Sequence, residues 1–263
     1  MLKISESFMS IQGEGASVGV PAFFIRLQNC NLMCGGHNAR LVKENKATWW
    51  CDSEIIWRQG IETTNEELEQ NIINLGIFEK ILDGTIHLVW TGGEPTLPKN
   101  QKSIIDFLDY INIKYPNNLI YNEIETNGTI VVLDKFYDAN NFRINGQYIK
   151  TGYIDQINCS PKLANSGMPE NMRVVPDAIK QINAIENSYF KFVISKEEDI
   201  KEIQETYINP FIIKSSKVIL MPGVDNRETL AERTAFLFEM VKKYYYRGVT
   251  RQHILAWNKT CGV

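Results

Sequence analysis

The sequence contains no apolar run approaching the ~20 residues needed to cross a bilayer. Its first residues, Met1-Leu2-Lys3-Ile4-Ser5-Glu6-Ser7, lack the apolar stretch of a secretory signal. A membrane span and export are therefore not expected, and the chain reads as cytoplasmic. Basic residues are not in excess either: 28 Lys and Arg against 31 Asp and Glu give a formal net charge of -3. Proteins that bind nucleic acid present clustered positive charge, so this balance argues against direct contact with DNA or RNA. No Pro/Gly/Ser-rich linker, internal repeat or low-complexity tract divides the 263 residues, which predicts one domain over 1–263. Cysteine is scarce and odd in number, five in all. In a chain without an export signal that argues against a disulfide framework and for metal or redox use.

Three of those cysteines are gathered in one place, Cys30-Asn31-Leu32-Met33-Cys34 and Trp49-Trp50-Cys51-Asp52-Ser53, with the spacing Cys-x3-Cys-x16-Cys. Three thiolates from one loop hold three irons of a 4Fe-4S cluster and leave the fourth iron open to a non-protein ligand. A second reading uses His37, in the same loop, to complete a Cys3His set that tetrahedral zinc accepts, as in a zinc-stabilised interaction module. Plain core thiols fit less well beside Gly35-Gly36 and polar neighbours. Cys159 and Cys261 are left over as free thiols.

Along the chain, residues 4–11 and 22–27 read as strands separated by glycine-rich turns. Thr64-Asn65-Glu66-Glu67 has capping-box spacing, and Leu68, Ile72 and Leu75 follow at helical period. Residues 86–90 form a short apolar run that breaks into Thr91-Gly92-Gly93-Glu94-Pro95. A helix carrying Ile104, Leu108 and Ile111 should stop before Pro116. Further strands are expected at 119–125, 153–159, 189–194 and 217–220, with helices near 197–206 and 228–246. The second of those helices has Leu230, Thr234, Leu237, Phe238 and Val241 on one side. Residues 138–152 look like a polar excursion, and 252–257 like a last strand. Strands alternating with helices indicate βαβ units and an α/β fold with a parallel sheet. Periodicity alone leaves a partly closed barrel and an open doubly wound sheet both possible. The Gly92-Gly93 pair lets a ligand approach bare backbone, and Glu94 can accept hydrogen bonds from a cationic amine. Asn127-Gly128 alone would suggest a hairpin, but a helical pattern follows it.

Ser10-Ile11-Gln12-Gly13-Glu14-Gly15, Gly19, Pro21, Phe24-Ile25-Arg26-Leu27, Cys30-Asn31-Leu32 and Cys51-Asp52-Ser53 together resemble the 7-carboxy-7-deazaguanine synthases, radical S-adenosylmethionine enzymes of 7-deazapurine biosynthesis. The resemblance runs nearly the length of the chain. It departs from the family's Cys-x3-Cys-x2-Cys at the third position, where His37 stands, and residues 36–49 read as an insertion that delays the third ligand to Cys51. The family implies a partial (β/α)6 TIM-like barrel. It implies Cys30, Cys34 and Cys51 as 4Fe-4S ligands, Gly93, Glu94, Thr126, Asn127 and Ser160 around S-adenosyl-L-methionine, and Ser53 as a Mg2+ ligand. Gln12, Gly13, Glu14, Arg26 and Gly92 fall on the pterin substrate, with Arg26 on its carboxylate. The implied reaction contracts 6-carboxy-5,6,7,8-tetrahydropterin to 7-carboxy-7-deazaguanine, with loss of ammonia, in a homodimer reduced by a donor such as flavodoxin. A glycyl-radical activating enzyme would share the cluster and the Gly-Gly-Glu turn, but Gln12 to Gly15 with Arg26 speak for a small substrate. Lys191, His253 and the Val263 carboxylate are further candidates for ligand contact.

Overall fold

Runs of β-branched and aromatic residues become the strands β1 (Leu2–Ile11), β2 (Pro21–Leu27), β3 (Ile61–Thr63), β4 (His87–Gly92) and β5 (Asn122–Thr126). They continue with β6 (Phe142–Ile144), β7 (Gln147–Ile149), β8 (Gln156–Cys159), β9 (Ser188–Ile194), β10 (Val218–Pro222) and β11 (Arg247–Gly248). This computed structural model describes residues 1–136, 142–144, 147–149, 152–224, 226–258, 260 and 262. Cys261 and Val263, for which a free thiol and a ligand-contacting carboxylate were expected, lie outside the described residues.

Strands β2, β4, β5, β8, β9 and β10 pair side by side in that order, every pair parallel. The order rises steadily with chain position, so the sheet lacks the reversal that defines a doubly wound fold. This is the topology of a (β/α) barrel. Its closure is partial, because β11 ends one edge and antiparallel β1 and β3 end the other. The expected partial (β/α)6 barrel is therefore the architecture.

Side chains alternate between the two faces of each strand. On the outer face Phe23, Ile25, Trp90, Ile124 and Phe192 join Leu68, Ile104, Phe107, Ile182 and Leu237 in one apolar core. The latter come from the covering helices Asn65–Asn74, Pro98–Lys114, Pro176–Ala184 and Arg227–Tyr244. The inner face is polar toward the strands' C-terminal ends, where Arg26 pairs in register with Thr91, and Glu125 with Asn158. A polar interior makes the barrel a chamber rather than the apolar plug of a closed one.

Several expectations change. Residues 252–257 form a helix, Gln252–Trp257, not a strand. A short apolar run does not distinguish the two, and β11 already occupies the edge next to β10. Leu75 and Phe238 are exposed, since Leu75 is the C-cap of its helix and the buried stripe of Arg227–Tyr244 runs through Leu230, Leu237 and Met240. The strand expected at 119–125 is confined to Asn122–Thr126, and the short strands β3 and β11 carry too little pattern to be foreseen. Within 138–152, β6 and β7 pair antiparallel, and most of the remainder lies outside the described residues. Cys159 is fully buried in the core.

The capping box forms as its spacing predicts: Thr64 Oγ1 accepts from Glu67 N at 3.1 Å, and Glu67 Oε2 accepts from Thr64 N at 2.8 Å. Thr64→Ala should lower stability by about 1 kcal/mol, and Thr64→Ser should restore most of it, as read from urea unfolding midpoints.

Candidate active site at the rim of the barrel

Six parallel strands end at one rim, where a cavity of ≈ 970 Å³ opens. The three clustered cysteines and Ser53 line it together with Gly92, Gly93 and Glu94 from the turn after β4. Thr126, Asn127 and Ser160, after β5 and β8, complete that wall. Gln12, Gly13, Glu14 and Arg26 line the same space, as do Lys191 and His253. Residues expected to serve cluster, cofactor and substrate thus border one chamber.

The wide cysteine spacing collapses in three dimensions. Cys51 N donates to Cys34 O at 3.1 Å, so the second and third cysteines are backbone neighbours although 16 residues separate them in sequence. A Cβ on Gly35 would collide with Trp50, so the two arms of this neck touch. The intervening residues form a side loop containing the short helix Arg40–Lys43. It leans on the turn after β8 through Thr48 N to Asn165 O at 2.9 Å and Trp49 Nε1 to Asn165 Oδ1 at 2.9 Å.

The thiols suit an iron-sulfur cluster. Leu32 N and Asn127 Nδ2 point at Cys30 Sγ, 3.4 and 3.8 Å away, and Trp57 Nε1 donates to Cys51 Sγ at 3.5 Å. Such donors tune bound sulfur. Burial pushes the Cys30 thiol up to about 12 and the Cys34 thiol to about 11, so each keeps its proton until a metal displaces it. The Cys3His zinc set is not formed. His37 Nδ1 lies 2.8 Å from Glu54 Oε1, and the ring is absent from the cavity lining. Among the described residues no three His, Cys, Asp or Glu side chains converge tightly enough for a single ion. A four-iron cube is wider than one ion and spreads its thiolates further apart.

The turn after β4 has a structural duty as well. A Cβ on Gly92 or Gly93 would strike the backbone of Leu27 or Asn29, so the glycines are required by the crossing over the cysteine loop. Gly93 N to Leu27 O at 3.0 Å and Glu94 N to Asn29 O at 2.7 Å fix that crossing. The Glu94 carboxylate, expected to take a ligand's amine, borders the cavity and also accepts hydrogen bonds from the protein. Thr96 N and Oγ1 and Thr126 Oγ1 donate to one oxygen, and Asn127 N to the other. Burial raises its carboxyl, and those four bonds oppose the rise. Asn127 Nδ2 in turn donates to Asn31 Oδ1 at 2.9 Å, so Glu94 and Asn127 join the ends of β4 and β5 to the cysteine loop. Lys162 Nζ donates to Ser160 Oγ at 3.1 Å and sits over the Trp49 ring.

In the same cavity Glu14 Oε2 accepts from Lys191 Nζ at 2.6 Å, and Glu14 Oε1 from Arg251 Nε at 2.8 Å. Arg251 continues to Asp52 Oδ2 at 2.7 Å, beside Cys51. Burial pushes the Glu14 carboxyl up, but Lys191, Arg251 and His253 outweigh it and hold the group well below the usual range. Lys191 is raised because Glu14 and Glu125 outweigh its burial. Gln12 Nε2 donates to Glu125 Oε1 at 3.3 Å, and Arg26 Nε to Glu6 Oε1 at 2.7 Å. His253 packs where a Gly13 side chain would go, and burial lowers its pKa. Ser53 begins the helix Glu54–Trp57 without capping it by its side chain, and its Oγ lies 3.5 Å from Cys51 Sγ. Arg251, Asp52 and Glu125 were not singled out from the sequence. Asp52 and Arg251 lie 199 positions apart, and nothing local marks either as the other's partner.

A thiol-lined chamber at the rim of a partial barrel is the setting of an iron-sulfur enzyme. The 4Fe-4S single cluster domain matches residues 11–160, more than half of the chain, and this protein belongs to that family. Among its relatives is a 7-carboxy-7-deazaguanine synthase of Pyrobaculum aerophilum, 24% identical over 99% of this chain and 97% of the relative. A protein of the same name from Aquifex aeolicus is 29% identical over 93% of this chain and 88% of its own length. The crystal structure of QueE from Escherichia coli shares the fold, with a TM-score of 0.59 at 22% identity over 95% of this chain and 93% of that one.

Glu14→Gln leaves Lys191 and Arg251 with a depleted counter-charge and should cost about 3 kcal/mol at neutral pH. Because the folded carboxyl is depressed, its contribution is complete above the unfolded value of ~4.3 and is lost as pH falls through the lower folded value. The gap between variant and wild type should therefore narrow below that pH, as measured by denaturant unfolding across an acid series.

Proposed function

We propose that this protein is a 7-carboxy-7-deazaguanine synthase of the radical S-adenosylmethionine type. It contracts 6-carboxy-5,6,7,8-tetrahydropterin to 7-carboxy-7-deazaguanine with release of ammonia. The observation that carries this reading is one chamber lined both by three thiols beside a Gly-Gly-Glu turn and by a set of paired charges. Relatives of that name along almost the whole chain support it. In this reading Cys30, Cys34 and Cys51 would hold a 4Fe-4S cluster beside the S-adenosyl-L-methionine site. When bound and reduced by an external donor, the cluster would supply the single electron for radical chemistry on this cofactor.

The chain's own groups bind and orient. Glu94 shapes the turn through Oε1 and, with Gly93, meets the methionine amine through Oε2, which among the described residues takes only Asn127 N, while Gly92 borders the substrate. Thr126, Asn127 and Ser160 border the ribose and carboxylate side. Arg26 offers guanidinium donors to the substrate carboxylate, a pairing that suits its forked geometry. Gln12, Gly13 and Glu14 face the pterin edge, with Lys191 and Arg251 keeping Glu14 ionised. The Ser53 hydroxyl, free of a capping bond, joins substrate oxygens around Mg2+, a hard ion that takes oxygen donors. One domain over 1–263, a cytoplasmic homodimer and a flavodoxin-like electron donor complete the proposal.

Anaerobic reconstitution with iron and sulfide, then incubation with the tetrahydropterin, S-adenosyl-L-methionine and a reductant, tests it by mass spectrometry. Wild type should turn brown, absorb near ~400 nm and form 7-carboxy-7-deazaguanine, whereas Cys51→Ala should form none. Ser53→Ala should lose most of the stimulation by Mg2+. Unchanged Mg2+ dependence in that variant would remove the metal role, and a colourless, inactive wild type would remove the whole reading.

A further inference from the structure

The foot of the side loop holds a buried carboxylate that the proposed chemistry leaves unused. Glu54 has no exposed surface. Arg58 Nη2 donates to its Oε1 at 2.6 Å, His37 Nδ1 lies 2.8 Å from the same oxygen, and Asn38 N donates to Oε2 at 3.3 Å. The backbone N of Glu54 donates to Cys51 O at 3.3 Å. One residue therefore touches both arms of the neck, residues 37 and 38 where the chain leaves and Cys51 where it returns. Burying a carboxylate is costly unless several donors meet it. Here those donors come from the adjacent residues 37 and 38 across the neck and from Arg58 one turn on, so satisfying Glu54 holds the neck shut.

His37 occupies the third position of a compact Cys-x3-Cys-x2-Cys spacing counted from Cys30. Its Nδ1 lies 2.8 Å from Glu54 Oε1 and 2.8 Å from Arg58 Nη2, donating to the first as the protonated nitrogen or accepting from the second as the bare one, and the ring does not line the cavity with the thiols. We propose that Glu54 is a positioning residue that latches His37 and Arg58 at the foot of the loop and thereby delivers Cys51, rather than residue 37, as the third thiolate. This inference rests on the cluster reading above.

The test uses the full chain, reconstituted anaerobically, with iron and sulfide content, the rate of iron loss to a chelator and the electron paramagnetic resonance spectrum of the reduced cluster as readouts. Wild type should hold about four irons. Cys51→Ala should lose most of them, His37→Ala should keep about four but release them faster, and His37→Cys added to Cys51→Ala should not restore them. Glu54→Ala should release iron about tenfold faster or more, the scale on which outer-shell partners act, with a shifted spectrum. Glu54→Gln keeps an acceptor for Arg58 and should recover most of the wild-type rate. Should Glu54→Ala fail the check of folding by circular dichroism, Arg58→Met removes the half-exposed partner and must show the same faster release. Wild-type release rates and spectra in these variants would overturn the latch, as would equal iron loss from His37→Ala and Cys51→Ala. A wild-type chain that takes up no iron would overturn the cluster reading itself, and the latch with it.

Discussion

Parallel hydrogen bonding in chain order is the constraint from which the rest of the structure follows. Each of β2, β4, β5, β8, β9 and β10 enters from the same side and ends at the same rim. Whatever polar turn follows a strand is delivered to that rim, however distant its residues are in sequence. The two-residue period then separates duties. Outward side chains are committed to the helices, and inward ones are free to be polar. A chamber for charged ligands and a stable apolar core thus coexist in one sheet without competing for positions.

Inside the chamber, charge takes the structural role that hydrocarbon plays outside. Lys191, Glu14, Arg251 and Asp52 link β9, the turn after β1, the C-terminal segment and the cysteine loop. Below them Glu123 meets His87, Ser17, Gln156 and Asn158 across the barrel floor. Fully partnered networks of this kind rigidify a site, because each member left alone would be expensive to bury. The chamber wall is consequently set before any ligand arrives.

Local features were legible in the sequence and long-range ones were not. The capping box at Thr64, the helix ending before Pro116 and the polar turns after β4, β5 and β8 announce themselves within a few residues, since backbone geometry and caps are local properties. The barrel topology needed strand order, which periodicity does not encode. The part of Glu94 that ties β4 to β5 is not legible locally, because its partners Thr126 and Asn127 sit at another strand's end. The glycines of the same turn were legible as necessary, but their reason is the backbone of Leu27 and Asn29. The segment 252–257 misled because six residues fit both periods, and only the occupied sheet edge decides between them.

The hydrogen bond from Cys51 to Cys34 separates distance along the chain from distance in space. With the neck closed, the two sulfurs are held by their backbone pairing rather than by the number of residues between them, and a long excursion is compatible with a compact thiol set. A search that demands a fixed interval between the second and third cysteines would pass over such proteins. Counting the intervals instead from paired backbone positions would recover them.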